Sequence, residues 1–490
     1  MKLLDLFEGV PGLELGADPE LEIRSLAYDS RRVEPGGLFF AIAGEKADGH
    51  TFIGNAVGRG AVAVVSERPA PRELRAPWVR APKIRRALAE ASRAFYGHPE
   101  RRLRLVGITG TNGKTTTAYL VSSIFQAAGI AAMLFGTVEY RVGERRLPAG
   151  NTTPESLDLV SYFAEGERVG ASAAVMEVSS HALAQERVWG FPFAAAVFAN
   201  LTRDHLDYHG TMEEYFAAKR RLFEGLGAPP PALAVINVDD PWGQRLLELA
   251  PPRVITYGTG SEAAVRPKRS SQDASGWKAT VVTPEGPLEI DSPLLGRGNL
   301  MNVLAAVATA QGLGVAGQKI QDGVRALSLV PGRFERVEAG QPFLVVVDYA
   351  HSDDALRQAL STARELTRSR LIVVFGCGGD RDRSKRPLMG EAAGSLADIV
   401  VLTSDNPRSE DPLAIMNDAL VGVQKTGKGC LLEADRALAI RQALERAREG
   451  DVVLIAGKGH ETYQVVGDRT LAFDDREVAR RTLKELGYSS

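Results

Sequence analysis

The sequence predicts an α/β protein of three units. Short apolar runs alternate along the chain with helix-length segments whose apolar residues recur every three or four positions. The 490 residues leave room for about three domains at roughly 150 residues each. The stretch GITGTNGKTTT (107–117) sets a glycine-rich turn between a strand and a helix. Strands alternating with helices build mostly parallel sheets covered on both faces.

Residues 1–98 form the first unit, where AVAVVSE (61–67) is a strand among helical segments. It ends near the basic run KIRRALAEASRAFYGHPERRLR. The pattern changes at 105. LVGITG reads as a short buried strand, and TTAYLVSSIFQAAG as a helix closed by Gly129. AAVMEVS (173–179), AAAVFANL (194–201) and LAVINVD (233–239) are further buried strands. Pro331 and Gly332 in LVPGRFERVE mark a boundary, so the second unit is 99–330 and the third 331–490. In the third, FLVVVDYA, LIVVFGCGG, DIVVLTSD and DVVLIAGKG are strands, separated by helices such as DDALRQALSTAREL.

Composition narrows the function. The chain is 44% hydrophobic and 24% charged with a net charge of −2, which disfavours a nucleic-acid coat. No apolar run approaches the ~20 residues that span a bilayer. Asp5, Glu8 and Pro11 interrupt the start, so no signal peptide is expected and a cytoplasmic location is. Cys377 and Cys430 make neither a disulfide framework nor a metal cluster.

The loop carries most of the chemistry. Gly113, Lys114 and Thr115 end it as a phosphate loop ends, but Ile108 stands where the common pattern has its first glycine. Backbone N–H groups at a helix N-terminus favour an anion. Gly110 and Gly113 allow close approach, Lys114 can reach the β- and γ-phosphates, and the Thr115 hydroxyl can ligate Mg²⁺. A glycine-rich turn with a surface lysine is the plainer alternative. Glu177 ends a buried strand, where ligands bind in open α/β sheets, and is a second Mg²⁺ ligand or a loop cap. NLTRDHLDYHG (200–210) packs Asp204, His205, Asp207 and His209 together beside that site.

Together GTNGKTT (110–116), MEVSSHAL (176–183), NLTRDHLDYHG and EEYFAAKRRLF (213–223) resemble the Mur ligases, ATP-dependent amide-forming enzymes of cell-wall precursor synthesis. AYDSRRVEPGGLFFAIAGEKADGH (27–50), NTTP (151–154), PGRFE (331–335), DYAHS (348–352), GCGGDRDRSKRP (376–387), DNPR (405–408) and GKGHE (457–461) narrow the resemblance to members that extend UDP-MurNAc-L-Ala-D-Glu by a diamino acid. It implies an N-terminal UDP-sugar-binding α/β domain, a central P-loop ATPase-like mostly parallel sheet and a C-terminal Rossmann-like domain. It also implies ATP as co-substrate, two Mg²⁺ ions, small-molecule substrates and a monomer, with no membrane or nucleic-acid partner.

The resemblance also assigns residues. Thr115, Glu177 and His205 would hold Mg²⁺, with Lys219 as a carbamate. From sequence alone Lys219 reads as a solvated helix lysine. Gly110, Thr111, Asn112, Gly113, Lys114, Thr115 and Thr116, with Asn302, Arg333 and Asp348, would surround the nucleotide. Asn151, Thr152, Thr153, Ser179, Gln185 and Arg187 would contact the UDP-MurNAc-dipeptide, as would Tyr28, Ser30, Glu45, Lys46 and Ala47. Asp353 departs from the family's usual proline, which implies a change in turn stiffness.

Arg381, Asp405, Asn406, Pro407, Arg408, Gly457 and Glu461 match the family's meso-diaminopimelate pocket. Arg408 can clamp the distal carboxylate and Glu461 pair with the distal ammonium. Lysine or ornithine would leave that arginine without a partner. A dinucleotide site at GCGGDR fails because Arg381 stands where the fingerprint needs glycine. Rival readings are a folylpolyglutamate-type synthetase, a nucleotide switch, and a silent UDP-sugar binder.

Overall fold

A computed structural model describes residues 1–44, 47–71, 76–249, 252–273 and 275–488. Its centre is an eight-stranded sheet. Five of its strands, Arg104–Thr109, Ala132–Phe135, Ala173–Glu177, Phe193–Phe198 and Leu233–Asn237, run parallel side by side and are almost wholly buried. Such strands need no alternation of apolar and polar residues, because both faces are covered. One face packs the helices Lys114–Ala127, Arg297–Gly312 and Gly317–Ala326. The other packs Ser156–Arg168 and Met212–Glu224. Gly129 follows the first of these helices at φ 72°, and Ile130 N donates back to Phe125 O at 2.8 Å, which closes the helix end.

The sheet also has an antiparallel edge, Glu139–Val142 paired with Arg145–Pro148. A separate three-stranded antiparallel sheet, Arg266–Asp273, Gly276–Val282 and Leu288–Ser292, covers part of the helix layer.

The C-terminal unit is a six-stranded sheet, parallel except for the short strand Glu335–Arg336. Its order places Val452–Ala456 between Leu344–Asp348 and Leu371–Phe375. The carboxyl ends of these three strands therefore lie together, where α/β sheets bind ligands. The helix Asp353–Leu366 begins at Ser352, whose Oγ accepts from Ala355 N. Asp353 occupies the first helical position, where proline is favoured and where a carboxylate also suits the helix dipole. The helix thus keeps its start without proline. Cys377 and Cys430 are free thiols.

The N-terminal unit is a five-stranded sheet, antiparallel only where Glu14–Gly16 joins Trp78–Arg80. Polar pairs fasten it to the central unit. Arg86 makes two 2.8 Å hydrogen bonds to Glu186 and stacks on Trp189 at 3.9 Å, and Arg85 pairs with Glu155 at 2.7 Å. Among the described residues no helix is long and apolar enough to cross a membrane.

Candidate active site

Ile108 is fully buried inside the strand Arg104–Thr109, in register with Glu177 and Val197. The strand runs past the position where the common loop pattern turns, so the turn here is the shorter segment 110–113. Its two glycines are required. At Gly110 (φ 154°) a Cβ would stand 2.8 Å from Ala199 Cβ. At Gly113 (φ 86°) it would meet Asn302 Oδ1 at 2.3 Å. Asn302 is held there by Thr117 Oγ1 at 3.3 Å and Asn299 Oδ1 at 3.0 Å. Asn200 frames the loop from the neighbouring strand end, exchanging hydrogen bonds with the backbone of Asn112. Helix Lys114–Ala127 starts directly after the loop and aims its N-terminal dipole at it.

Lys114 folds back to donate to Gly110 O at 3.0 Å and Thr111 O at 2.9 Å. Lys219 is buried and donates to the same Gly110 O at 2.8 Å, with its amine 4.5 Å from the Tyr215 ring centre. Burial holds Lys219 well below the usual lysine range, and Lys114 pushes it further down. Burial also lowers Lys114, with Arg333 adding to it, while Glu177 and Asp204 oppose. An unprotonated buried amine is nucleophilic, so Lys219 fits carbamylation chemically.

Glu177 is buried at its strand end. Its carboxylate accepts from Thr137 N at 2.8 Å and Thr137 Oγ1 at 3.0 Å. Thr115 Oγ1 accepts from Arg333 Nη2 at 2.9 Å. His205 lies at left-handed φ 54° with Nε2 3.5 Å from Asp204 Oδ2. Burial keeps its imidazole neutral, pushed down to about 3 although Asp204 opposes. Among the described residues no group of three or more His, Cys, Asp or Glu could hold a metal ion by itself. One carboxylate, one hydroxyl and one neutral imidazole fit Mg²⁺ that brings water and phosphate oxygens with it, the usual Mg²⁺ habit.

A cleft of about 1710 Å³ joins this region to the C-terminal unit. Thr111, Asn112, Gly113, Lys114, Thr116, His205 and Asn302 line one side. Arg333 and Asp348 line it from the other unit. Arg333 lies over Tyr349 at 4.7 Å, and Asp348 accepts from Phe334 N and Ala350 N at 2.7 and 2.9 Å. Burial raises the Asp348 carboxyl above its ordinary range. Gly110, Thr115, Glu177 and Lys219 are not part of the lining.

Arg381, Asp405, Asn406, Arg408, Gly457 and Glu461 line the far end of the same cleft. Arg408 takes a left-handed backbone (φ 52°) and donates to Gly379 O at 2.6 Å. Asn406 Nδ2 donates to Glu461 Oε2 at 2.9 Å. Burial raises the Glu461 carboxyl, as does nearby Asp405, while Lys458 opposes. Pro407 is outside the lining, its carbonyl accepting from Glu410 N at 3.1 Å.

Asn151, Thr152, Ser179, Gln185 and Arg187 line the cleft beside the loop. Buried Thr153 ties them together. Its Oγ1 donates to Glu177 O at 2.8 Å and accepts from Ser179 N at 3.1 Å, and its carbonyl accepts from Arg187 at 2.9 Å. Tyr28 and Ser30 lie away from the cleft. The Tyr28 hydroxyl donates to Asp158 across the unit boundary, and Ser30 is buried in a short helical turn. Ala47 is exposed, and Glu45 and Lys46 lie outside the described residues.

Sequence reading passed over several residues here. Lys458 is fully buried and donates to Asn406 Oδ1 and Glu461 Oε2, both at 3.1 Å. Its signal was its place inside GKGHE. Tyr349, under Arg333, lay inside DYAHS, and Asp354 is the second residue of DDALRQALSTAREL, while Thr137, which holds Glu177, carried no signal beyond tertiary proximity.

Comparison with known proteins identifies the family. The descriptions "Mur ligase family, catalytic domain", "Mur ligase middle domain" and "Mur ligase, glutamate ligase domain" match residues 22–96, 108–310 and 332–459. A UDP-N-acetylmuramoyl-L-alanyl-D-glutamate–2,6-diaminopimelate ligase of Solibacter usitatus is 56% identical over 473 residues, 96% of each chain. One of Geobacillus thermodenitrificans is 47% identical over 489 residues, 99% of this chain and 100% of its own. A solved structure bearing the same enzyme name is 34% identical, covers 100% of both chains and superposes with a TM-score of 0.70. With three domain descriptions matched in order and full-length relatives at these identities, the chain belongs to the Mur ligase family.

Proposed function

We propose that this chain is the ATP-dependent ligase that joins meso-2,6-diaminopimelate to UDP-MurNAc-L-Ala-D-Glu. It would act in cytoplasmic peptidoglycan precursor synthesis, on which cell shape and division depend. The observation that carries this is one cleft lined by Lys114 of a phosphate loop and by Arg408 and Glu461 of a charged pocket. The full-length relatives named for this reaction support it.

The loop N–H groups and Lys114 would hold the triphosphate, with Asn302 and Arg333 flanking it. Asn151, Thr152, Ser179, Gln185 and Arg187 would orient the muramoyl dipeptide, and the N-terminal unit its UDP end. Its free carboxylate takes the γ-phosphoryl group, ADP departs, and an acyl phosphate results. The amine of the diamino acid then attacks the acyl carbon, and the tetrahedral adduct expels phosphate. Arg408 would clamp the distal carboxylate, and Glu461 would pair with the distal ammonium. Lys458 and Asn406 hold the Glu461 side chain in place.

Thr115, Glu177 and His205, with Lys219 as a carbamate, would hold Mg²⁺. Bound with the nucleotide, the metal would supply positive charge between two anions that must meet. Phosphate release from ATP with UDP-MurNAc-L-Ala-D-Glu is expected with meso-diaminopimelate and not with L-lysine or L-ornithine. Preference for lysine or ornithine would keep the ligase and overturn the choice of amino acid. Release that depends on none of the three would overturn the ligase itself.

A further inference from the structure

A carboxylate of the C-terminal unit accepts a hydrogen bond from Asn112 of the phosphate loop. Asp354 lies in the first turn of the helix Asp353–Leu366. Its Oδ2 accepts from Asn112 Nδ2 at 2.9 Å, Thr202 Oγ1 at 2.9 Å and Gln358 Nε2 at 2.8 Å. Asn112 belongs to the loop, and Thr202 follows the strand Phe193–Phe198. Two segments of the central unit therefore converge on one charged oxygen of another unit.

Both sides of this contact are built. On the receiving side, Asn200 Oδ1 accepts from Asn112 N at 2.9 Å, and Asn200 Nδ2 donates to Asn112 O at 3.1 Å. Thr202 N donates to Thr111 Oγ1 at 3.0 Å, which donates to Thr202 O at 3.2 Å. On the presenting side, Ser352 caps the helix and Gln358 braces the carboxylate one turn on. The charged acceptor makes the three bonds to Asp354 stronger than neutral pairs.

A second contact, Arg333 Nη2 to Thr115 Oγ1 at 2.9 Å, crosses the same interface. Arg333 lines the cleft, so a bound nucleotide would rearrange it. Asn112 and Thr202 line the cleft while Asp354 does not. The carboxylate thus stands behind the wall, where a nucleotide need not displace it.

We propose that Asp354 is a positioning residue that latches the C-terminal unit onto the phosphate loop and so couples the order of that loop to docking of the amino-acid pocket. The inference rests on the proposed ligase reading. Coupling of this kind is reciprocal: a loop ordered by nucleotide favours the latched unit, and the latched unit orders the loop.

The test uses the full chain with Asp354→Ala, Thr202→Val and the double variant. Small-angle scattering would be measured with a non-hydrolysable ATP analogue, alongside phosphate-release kinetics. Loss of a hydrogen bond to a charged group corresponds to about a tenfold shift in the closure equilibrium. Asp354→Ala is expected to raise KM for the diamino acid about tenfold on that basis, to enlarge the radius of gyration, and, because the coupling is reciprocal, to weaken binding of the analogue as well. Thr202→Val should act in the same direction without touching the C-terminal helix. The double variant should be no worse than Asp354→Ala alone, because losing the carboxylate already removes the Thr202 hydrogen bond. If Asp354→Ala fails to fold, Thr202→Val carries the test from the other unit.

Wild-type radius and wild-type KM in either folded single variant would overturn the latch, as would effects that simply add. A wild-type chain that releases no phosphate would instead overturn the ligase reading. The scattering comparison would still decide the latch.

Discussion

Lys114 and Lys219 donate to the same carbonyl oxygen, that of Gly110, at 3.0 and 2.8 Å. Two ammonium groups on one acceptor repel each other, and desolvation penalises both, most of all the fully buried Lys219. Burial holds Lys219 well below its ordinary range, and Lys114 adds to that. A neutral amine can add carbon dioxide, lose a proton and become a carbamate. The change replaces a repulsion with an attraction to Lys114.

Lys219→Met keeps the length and removes the nitrogen. We expect kcat for phosphate release to fall about a hundredfold or more, as when one preorganised charge is taken from a reacting site. Wild-type protein should take up label from isotopic bicarbonate at Lys219, and the variant should not. Near-normal turnover in the variant would remove the carbamate from the mechanism.

Arg408→Ala should weaken meso-diaminopimelate selectively. A charge-assisted bidentate contact is worth roughly 1.5–3 kcal/mol, so KM should rise between about tenfold and a hundredfold. Turnover with L-lysine should change little. Arg408→Lys should restore only part of the loss, because an ammonium lacks the paired donors of the guanidinium. Equal loss for both amino acids would show that Arg408 shapes the pocket and does not read the distal carboxylate.

Much of this fold was legible because buried parallel strands leave continuous apolar runs. The helix Asp353–Leu366 spans the segment read as DDALRQALSTAREL. The strand Arg266–Asp273 left no such trace. RPKRSSQD has no apolar alternation, and the strand exists through pairing with Gly276–Val282. Lys219 had a missed signal: Tyr215, Lys219, Leu222 and Phe223 share the buried face of one helix, so the lysine sits on an apolar stripe. The left-handed backbone of Arg408 and the reach of Asp354 arise from packing between distant segments, which no local pattern encodes.

A buried ion pair supports the pocket from below. Arg436 and Asp475 are both fully buried and joined by two 2.7 Å hydrogen bonds. Arg436 also donates to Ala456 O at 2.9 Å and Ser404 O at 3.4 Å, the carbonyls just before Gly457 and Asp405. Asp475→Asn should cost roughly 3–5 kcal/mol, since it strands a buried cation. Urea unfolding followed by hydrogen exchange in the C-terminal strands would measure it. Replacing Arg436 with Met and Asp475 with Leu together should recover much of that stability, yet KM for the diamino acid should stay raised, because both loop carbonyls lose their donor.

His209 should make stability depend on pH. It is buried, its Nε2 lies 2.9 Å from Ser180 Oγ, and its ring stacks on Tyr215 at 5.0 Å. Burial lowers its pKa from 6.5 to about 4, His181 adds to the shift, and Asp207 opposes it. Between those values the unfolded chain binds a proton that the folded chain does not. Folding stability therefore rises with pH through this window, and the benefit is lost as pH falls from 6.5 towards about 4. The slope from one such group is at most about 1.4 kcal/mol per pH unit. His209→Phe keeps the stacking and forfeits the Ser180 hydrogen bond, so it should be less stable at neutral pH with a flatter profile below it. Denaturant midpoints across the window would check this. Parallel wild-type and variant profiles would mean that the folded protein protonates His209 as readily as the unfolded chain does, and that burial is not what governs the ring.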